Sequence, residues 1–205
     1  LKELTFVNKK YTILENKYLG KPQVKSAKKS SGAVLAFTGT CSPENGIMEA
    51  ISLAMALHRH QYPITLSITG HIPSKQIQAY IQSMMAQGCP IELLGNGALV
   101  PHTAILEAAS QADFALVAHQ PNPSNENCIP TKIYEYLGLQ LPMLLQAHPY
   151  WESVVEPYQA ALVLDYHHFV PHEIWDQMQQ SLFYTNLPGE EITWKYESKK
   201  LLEIL

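Results

Sequence analysis

The sequence predicts an α/β protein built on a doubly wound parallel sheet of about six strands. Three observations carry that reading. Short apolar runs, bounded by Gly and Pro, recur from Gly32 to Leu164. A stretch with helical spacing separates each run from the next. The runs are continuous rather than alternating, as expected of strands covered on both faces. Composition agrees: of 205 residues, 46% are apolar and only 16% are charged. That excludes a disordered chain and a charge-laced coiled coil.

Ala33–Gly39 (AVLAFTG) is the first strand. Ser42 then reads as an N-cap and Pro43 as the first helical residue, with Ile47, Met48, Ile51, Ala54 and Met55 at helical spacing. Pro63–Thr69 is the second strand, stopped by Gly70, and Ser74–Gln87 a helix closed by Gly88, with Met84 and Met85 as core residues near its end. Pro90–Leu94 is strand, Pro101–Gln111 helix and Asp113–Ala118 strand. Pro130–Leu137 is helix, Pro142–Gln146 strand, Tyr150–Pro157 a short helix and Ala161–Leu164 the sixth strand. A closing helix covers Ile192–Leu205. Right-handed crossovers then predict the strand order 3-2-1-4-5-6. Three segments result: a basic lead-in and linker over residues 1–30, the sheet domain over 31–188, and the C-terminal helix over 189–205.

The net charge of −4 argues against a general nucleic-acid binder. Its distribution says more. Lys2, Lys9, Lys10, Lys17, Lys21, Lys25, Lys28 and Lys29 precede residue 31, and Lys195, Lys199 and Lys200 close the chain. Between Ser31 and Thr193 the only side-chain cations are Arg59, Lys75 and Lys132. The start, LKELTFVNKK, lacks an initiator Met and an apolar signal core, so a piece of a longer chain is expected. No apolar run approaches a membrane span. Cys41, Cys89 and Cys128 are odd in number and widely spaced, which fits a reducing, cytoplasmic compartment.

In an open parallel sheet, ligands bind beyond the carboxyl ends of the strands at the switch point. Helix N-termini converge there, each with about half a positive charge and unpaired N–H groups, which suits a phosphate. The segment PNPSNENCIPTKIYEYLGLQLPMLL is the densest in chemistry. Pro130 starts a helix whose first turn carries Thr131 and Lys132. A cation at a helix N-terminus runs against the dipole unless an anion covers it. Glu135, three residues on, shares its face and is an acceptor for a pair of hydroxyls. Together they suit a grip on a nucleotide, with Lys132 on phosphate and Glu135 on the ribose. The plain alternative is an exposed Lys132–Glu135 pair worth about 0.2–0.5 kcal/mol.

PTKIYEYLGLQLPMLL resembles the nucleotide-sugar motif of GT-B glycosyltransferases of the retaining group 1, or family 4, class. AFTGTCSPENGIMEAISLAMAL is similar to that family's first strand, glycine loop and helix, and LSITGH to its second strand. ALVPHTAILEAASQADFALV resembles its base-binding loop, helix and fourth strand; ITWKYESKKLLEIL resembles its closing helix, and YTILENKYL the segment leading into its second domain. The resemblance implies the Rossmann-like C-terminal, donor-binding half of such an enzyme. It implies that Glu135 holds the ribose hydroxyls, that Gly39 and Thr40 lie against the diphosphate, and that Gly70 and His71 line the cleft. Leu99 and Val100 would flank the base, and the loop from Asn125 to Ile129, with Asn127, would face the sugar. Lys132 and Glu135 are the residues expected to carry catalysis, and Thr131, beside Lys132, is expected to bind the donor. The chain departs from the family where an Arg and a Lys usually stand: Thr40 and about Asn45 occupy those places. The first acid of the family's glutamate pair falls near Asn127, with Glu126 one residue off. Of the three central cations, Arg59 lies at the far end of its helix and Lys75 on the rim in solvent, so Lys132 should dominate.

The partners implied are a UDP- or GDP-linked sugar donor, serving as substrate with no separate cofactor, and an N-terminal acceptor domain absent from this chain. A membrane-surface acceptor, and a dimer of the isolated domain through an uncovered docking face, are further expectations. The isolated piece is expected to transfer little. No metal is expected: His167, His168 and His172 fit no zinc spacing. His58 and His60 suit a helix C-terminus, His102 falls near the base, and His119 ends the fourth strand on the active rim. Cys128 has no paired base, Ser42 no glycine elbow, and Tyr150 and Trp151 form a wall or simply pack. A Rossmann dehydrogenase is disfavoured, because GTCSPENG is not G-x-G-x-x-G and Gly70–His71 stands where an acid is needed. The rival readings are a degenerate, non-catalytic module of the same fold and a nucleotide-sugar epimerase.

Overall fold

The computed structural model describes residues 13–22 and 32–203. The lysines at 2, 9, 10, 25, 28 and 29, most of the linker and the last two residues of the predicted closing helix lie outside the described residues. The sheet has six strands: β1 (Ala33–Thr38), β2 (Ile64–His71), β3 (Ile91–Gly97), β4 (Phe114–Val117), β5 (Met143–Gln146) and β6 (Ala161–Leu164). Every pairing is parallel and the order is β3-β2-β1-β4-β5-β6, as the alternation of elements predicts.

The helices are α1 (Ile47–Arg59), α2 (Lys75–Ala86), α3 (His102–Gln111), α4 (Thr131–Gly138), α5 (Pro149–Val155), α6 (Pro171–Gln180) and α7 (Trp194–Leu202). β1 shows why its run is apolar throughout. Leu35 and Phe37 point into the layer with α1, α2 and α6, whereas Ala36 points into the layer with α4 and α5. Both faces are therefore buried, and Leu35, Ala36 and Phe37 are all at most 1% exposed.

The structure corrects several boundaries. Ser42 and Pro43 do not open α1; they begin a turn in which Asn45 N–H donates to Ser42 Oγ at 3.3 Å. The helix starts at Ile47, with Gly46 as a left-handed cap at φ 78°. A Cβ on residue 46 would stand 1.8 Å from the Ala118 carbonyl oxygen, so glycine lets the start of α1 abut the end of β4. β2 and β3 run on to His71 and Gly97, past their predicted ends. Pro171 opens α6, and Ile174 and Met178, four apart, bury its apolar face. Met85 is exposed rather than core, and only Met84 packs against the main cluster. The closing helix starts two residues late, because Thr193 caps it by accepting from Tyr196 N–H. Among the described residues no helix is long and apolar enough to cross a membrane.

Residues 15–18 of the lead-in are built into this domain. Tyr18 is buried at 3% exposure against Gly138, where a Cβ would stand 2.2 Å from the tyrosine ring. Its main chain bonds Ile192 and Trp194 in an isolated parallel bridge with Thr193. The buried Glu197 carboxylate pairs with Lys17 at 2.8 Å and with Lys200 at 2.7 Å. Burial alone would raise the Glu197 pKa, but those two lysines and the Glu15 N–H hold it below the usual carboxylate value.

Candidate functional site

The ends of β1 and β4 and the start of α4 meet at the switch point where the strand order reverses. Beyond β1 the main chain keeps contact with β2: Gly39 N–H donates to Thr69 O at 2.9 Å and Cys41 N–H to His71 O at 2.8 Å. Gly39 sits at φ 91°, in the left-handed region that favours glycine. Gly70 lies flat against it, since a Cβ on residue 70 would come within 1.8 Å of the Gly39 carbonyl oxygen. Two backbones therefore touch where the phosphate-binding rim was expected.

Lys132 reaches into this junction. Its Cε and Nζ lie 2.9 and 3.3 Å from where a Cβ on Gly39 would stand, and Nζ is 4.8 Å from the centre of the Phe37 ring. As a whole residue Lys132 is half-buried, yet its ammonium has no contact with solvent and no hydrogen-bond partner. Burial lowers its pKa to about 8, partly opposed by Cys41 and Glu135. The exposed ion pair with Glu135 considered from the sequence is absent. Glu135 instead bonds His102, Oε1 to Nε2, at 2.7 Å.

His119, at the end of β4, stands beside Lys132. Burial, and then the Lys132 charge, push its pKa down to about 3, so the ring is neutral near pH 7. Its Nδ1 is buried without a partner, and its ring meets Trp151 edge-on at 6.1 Å. Cys41 is buried next to them, and burial drives its thiol up to about 11 against the opposing pull of Lys132. Two unpartnered nitrogens, one cationic and one neutral, thus lie close together at the rim. Isolated buried polar groups of this kind are costly in a folded protein unless a ligand meets them.

The other residues predicted for the site fall as follows. Thr40 is exposed, and its carbonyl accepts from Asn45 Nδ2 at 2.8 Å, so the two residues at which the resemblance leads one to expect cations bond each other. Thr131 Oγ1 accepts from Asn16 Nδ2 at 3.1 Å. His71 is half-buried at the end of β2. Leu99 is 82% exposed, and Val100 packs over Gly95, where a Cβ would meet Val100 Cγ2 at 2.5 Å. Asn127 and Glu126 are exposed in a turn that Asn122 and Asn125 tie to the Gln120 carbonyl at 3.1 and 2.9 Å. Lys75 is exposed at the start of α2, and Arg59 lies in the last turn of α1. Trp151 is fully buried and donates to Cys128 O at 2.8 Å, so it packs behind the loop. His167 bonds Gln120 and His168 pairs with Asp165; among the described residues no group of His, Cys, Asp and Glu could hold a metal.

Three features were not read from the sequence: the junction of Cys41 with Lys132, the Phe37 ring under the ammonium, and the hold of residues 15–18 on α4. Tyr134 and Tyr150 hydroxyls donate to the Glu15 carboxylate, and Asn16 reaches the first residue of α4. No local pattern announces such contacts, because each joins residues about ninety or more positions apart.

No protein-family model and no curated protein matches the sequence. Solved structures do match. The chain is similar to AviGT4, a glycosyltransferase involved in avilamycin A biosynthesis, with a TM-score of 0.59 at 19% identity over 84% of this chain and 50% of that one. It is similar to a mutant of S. aureus TarM, in complex with fondaparinux, α-GlcNAc-glycerol and UDP, with a TM-score of 0.61 at 13% identity over 91% of this chain and 38% of that one. The C-terminal domain of a group 1 family glycosyl transferase, LpcC, from Francisella tularensis matches with a TM-score of 0.51 at 12% identity over 72% and 73% of the two chains. The chain spans half the length of AviGT4 and less of TarM. At these identities the likeness is one of fold, and the fold is that of a GT-B glycosyltransferase domain.

Proposed function

We propose, from the GT-B domain fold and the chemistry of its rim, that this chain is the donor-binding half of a retaining glycosyltransferase. It takes a nucleotide-diphosphate sugar, linked to UDP or GDP, and presents it to an acceptor held by the rest of a larger protein. The observation that carries this reading is the Lys132 ammonium, buried and unpartnered over Gly39 at the first turn of α4. A cation so placed is stabilised by an anion entering between the glycine loop and the helix N-terminus.

In this reading the diphosphate lies along Gly39 and Thr40, with Gly70 and His71 lining the cleft behind it. Lys132 and the N–H groups near Thr131 meet the phosphates. As the bond from sugar to phosphate breaks, negative charge grows on the leaving diphosphate, and Lys132 is already in place to stabilise it. That positive charge stands in for a metal ion in the chemical step, and the domain needs no cofactor besides its donor. Glu135 accepts from the ribose hydroxyls, Leu99 and Val100 flank the base, and Asn127 borders the sugar. The protein works in the cytoplasm, and an acceptor at a membrane surface fits the reading.

The test is a thermal-shift and calorimetric screen against UDP, GDP, ADP and CMP, with Lys132→Ala and Glu135→Ala beside the wild type. Stabilisation by one diphosphate, lost in both variants, is the expected result. A folded protein that responds to no nucleotide would point to the non-catalytic module suggested by Thr40 and Asn45, or to a site completed only by the rest of a longer protein, and the same screen on the full-length protein separates the two.

A further inference from the structure

We propose that His102 is a positioning residue of the ribose subsite, holding one oxygen of Glu135 so that the other is presented to the sugar hydroxyls. The inference rests on the reading of Glu135 as the ribose acceptor and goes one step beyond it.

The geometry is specific. Glu135 lies in the second turn of α4, with its side chain only 12% exposed, whereas the His102 side chain is 53% exposed. The nearest cation in sequence, Lys132, forms no ion pair with Glu135 among the described residues; its ammonium is drawn off over Phe37 and Gly39. What holds the carboxylate is the His102 ring, at 2.7 Å from Oε1. A carboxylate oxygen only accepts, so the hydrogen of this bond sits on Nε2 of the ring. Oε2 has no hydrogen-bond partner among the described residues. A ribose diol only needs acceptors for its two hydroxyl hydrogens, and Oε2 has lone pairs for them.

The position of His102 gives the bond a second consequence. His102 is the first residue of α3 and directly follows the loop that carries Leu99 and Val100. Its bond to Glu135 ties that loop to α4, so the part of the site that meets the base and the part that meets the ribose are held at one spacing. An untethered glutamate would have to be ordered when ligand binds; a tethered one is ordered beforehand, and affinity gains what ordering would have cost.

The readout is the preference for ribo- over 2′-deoxyribonucleotide, because a general loss of folding weakens both ligands alike and cancels in the ratio. Dissociation constants are measured by calorimetry for UDP, GDP and ADP and for their 2′-deoxy counterparts. The proteins are the wild type, His102→Ala, His102→Gln and Glu135→Ala. The wild type should favour the ribo form of its cognate nucleotide by about tenfold or more, the size of one charge-assisted hydrogen bond. His102→Ala should bring that ratio to within about threefold of unity, and His102→Gln, whose amide can donate to the same oxygen, should recover part of it. An unchanged ratio in His102→Ala, or tighter ribonucleotide binding because the ring was an occupant that ribose displaces, overturns the proposal. Glu135→Ala separates the two levels. If it loses the preference while His102→Ala keeps it, only the role of His102 fails. If it keeps the preference, or if no diphosphate binds the wild type, the ribose assignment itself fails and the proposal with it.

Discussion

The Lys132 ammonium stands 3.3 Å from the point where a side chain on Gly39 would begin, so the loop after β1 and the first turn of α4 share one small space. Each end of that contact explains the other. A side chain at residue 39 would occupy the place of the ammonium, and a shorter residue at 132 would leave the glycine loop without a cation. An exposed lysine-glutamate pair on a helix is worth a few tenths of a kcal/mol, whereas one unit of pKa depression costs about 1.4 kcal/mol. The depression of Lys132 from 10.5 to about 8 therefore exceeds any gain from such a pair, so the buried charge costs stability.

Replacing Lys132 should accordingly move stability and binding in opposite directions. Lys132→Met keeps most of the side-chain volume and removes an unpaired buried charge. Its thermal midpoint without ligand should match or exceed that of the wild type, while nucleoside-diphosphate affinity falls about tenfold to a hundredfold. Differential scanning calorimetry and titration calorimetry on the same samples check both halves. A variant that loses stability and keeps affinity would contradict the assignment.

Anion binding should draw a proton into the site. Lys132 is held at about 8 by burial, and an entering phosphate raises that value again. Between about pH 8 and the raised value, free protein carries a neutral amine and the complex an ammonium, so binding takes up protons. Titrations at pH 8.5 in two buffers of different ionisation enthalpy should give different apparent heats, with the difference abolished in Lys132→Met. The same depression fixes the sign for folding. The unfolded chain binds more protons between the folded and unfolded values, so the contribution of Lys132 to stability rises from about pH 8 towards 10.5.

His119 should make the fold sensitive to acid. Its folded value of about 3 lies below the unfolded value of 6.5, so the unfolded state gains the proton first as pH falls. Stability is therefore lost progressively from pH 6.5 down towards 3, approaching about 1.4 kcal/mol per pH unit from this group alone. Urea unfolding at a series of pH values should show that slope, and His119→Asn should flatten it.

The two glycines of the junction should fail differently. Gly70→Ala drives a Cβ to 1.8 Å from a backbone oxygen that cannot swing away, so the strands must separate. Gly39→Ala meets the flexible end of Lys132 at 2.9 Å and bears the strain of a positive φ, about 1–2 kcal/mol. Gly39→Ala should remain folded with weakened diphosphate binding, whereas Gly70→Ala should lose more in its urea midpoint than Gly39→Ala does.

The glycine and proline punctuation, the apolar runs and the helix starts at Ser74 and Pro130 were enough to specify six parallel strands in their observed order. Chain chirality and short connections leave few other ways to wind such a pattern. The rim was legible for the same reason, because strand polarity places the carboxyl ends. Elimination among Arg59, Lys75 and Lys132 pointed to Lys132, whose ammonium the structure buries over Gly39. Boundaries were less legible. Ser42-Pro43 has the local chemistry of a helix start, but the approach of Gly46 to Ala118 delays α1 by a turn. That approach depends on a strand some seventy residues away, which no local pattern encodes.

What the sequence determined by itself, then, was the winding of the sheet and, with it, which residues stand beyond the carboxyl ends of its strands. These follow from periodicity, chirality and backbone polarity, all of which are local. Only the tertiary structure decided that the Lys132 ammonium is buried and unpartnered, that His119 beside it is neutral, and that Glu135 is held by His102. Burial and partnership are made by residues brought in from elsewhere in the chain. They determine whether a lysine and a glutamate three residues apart form a solvated pair or are drawn to separate surroundings, the one over Phe37 and Gly39 and the other to His102.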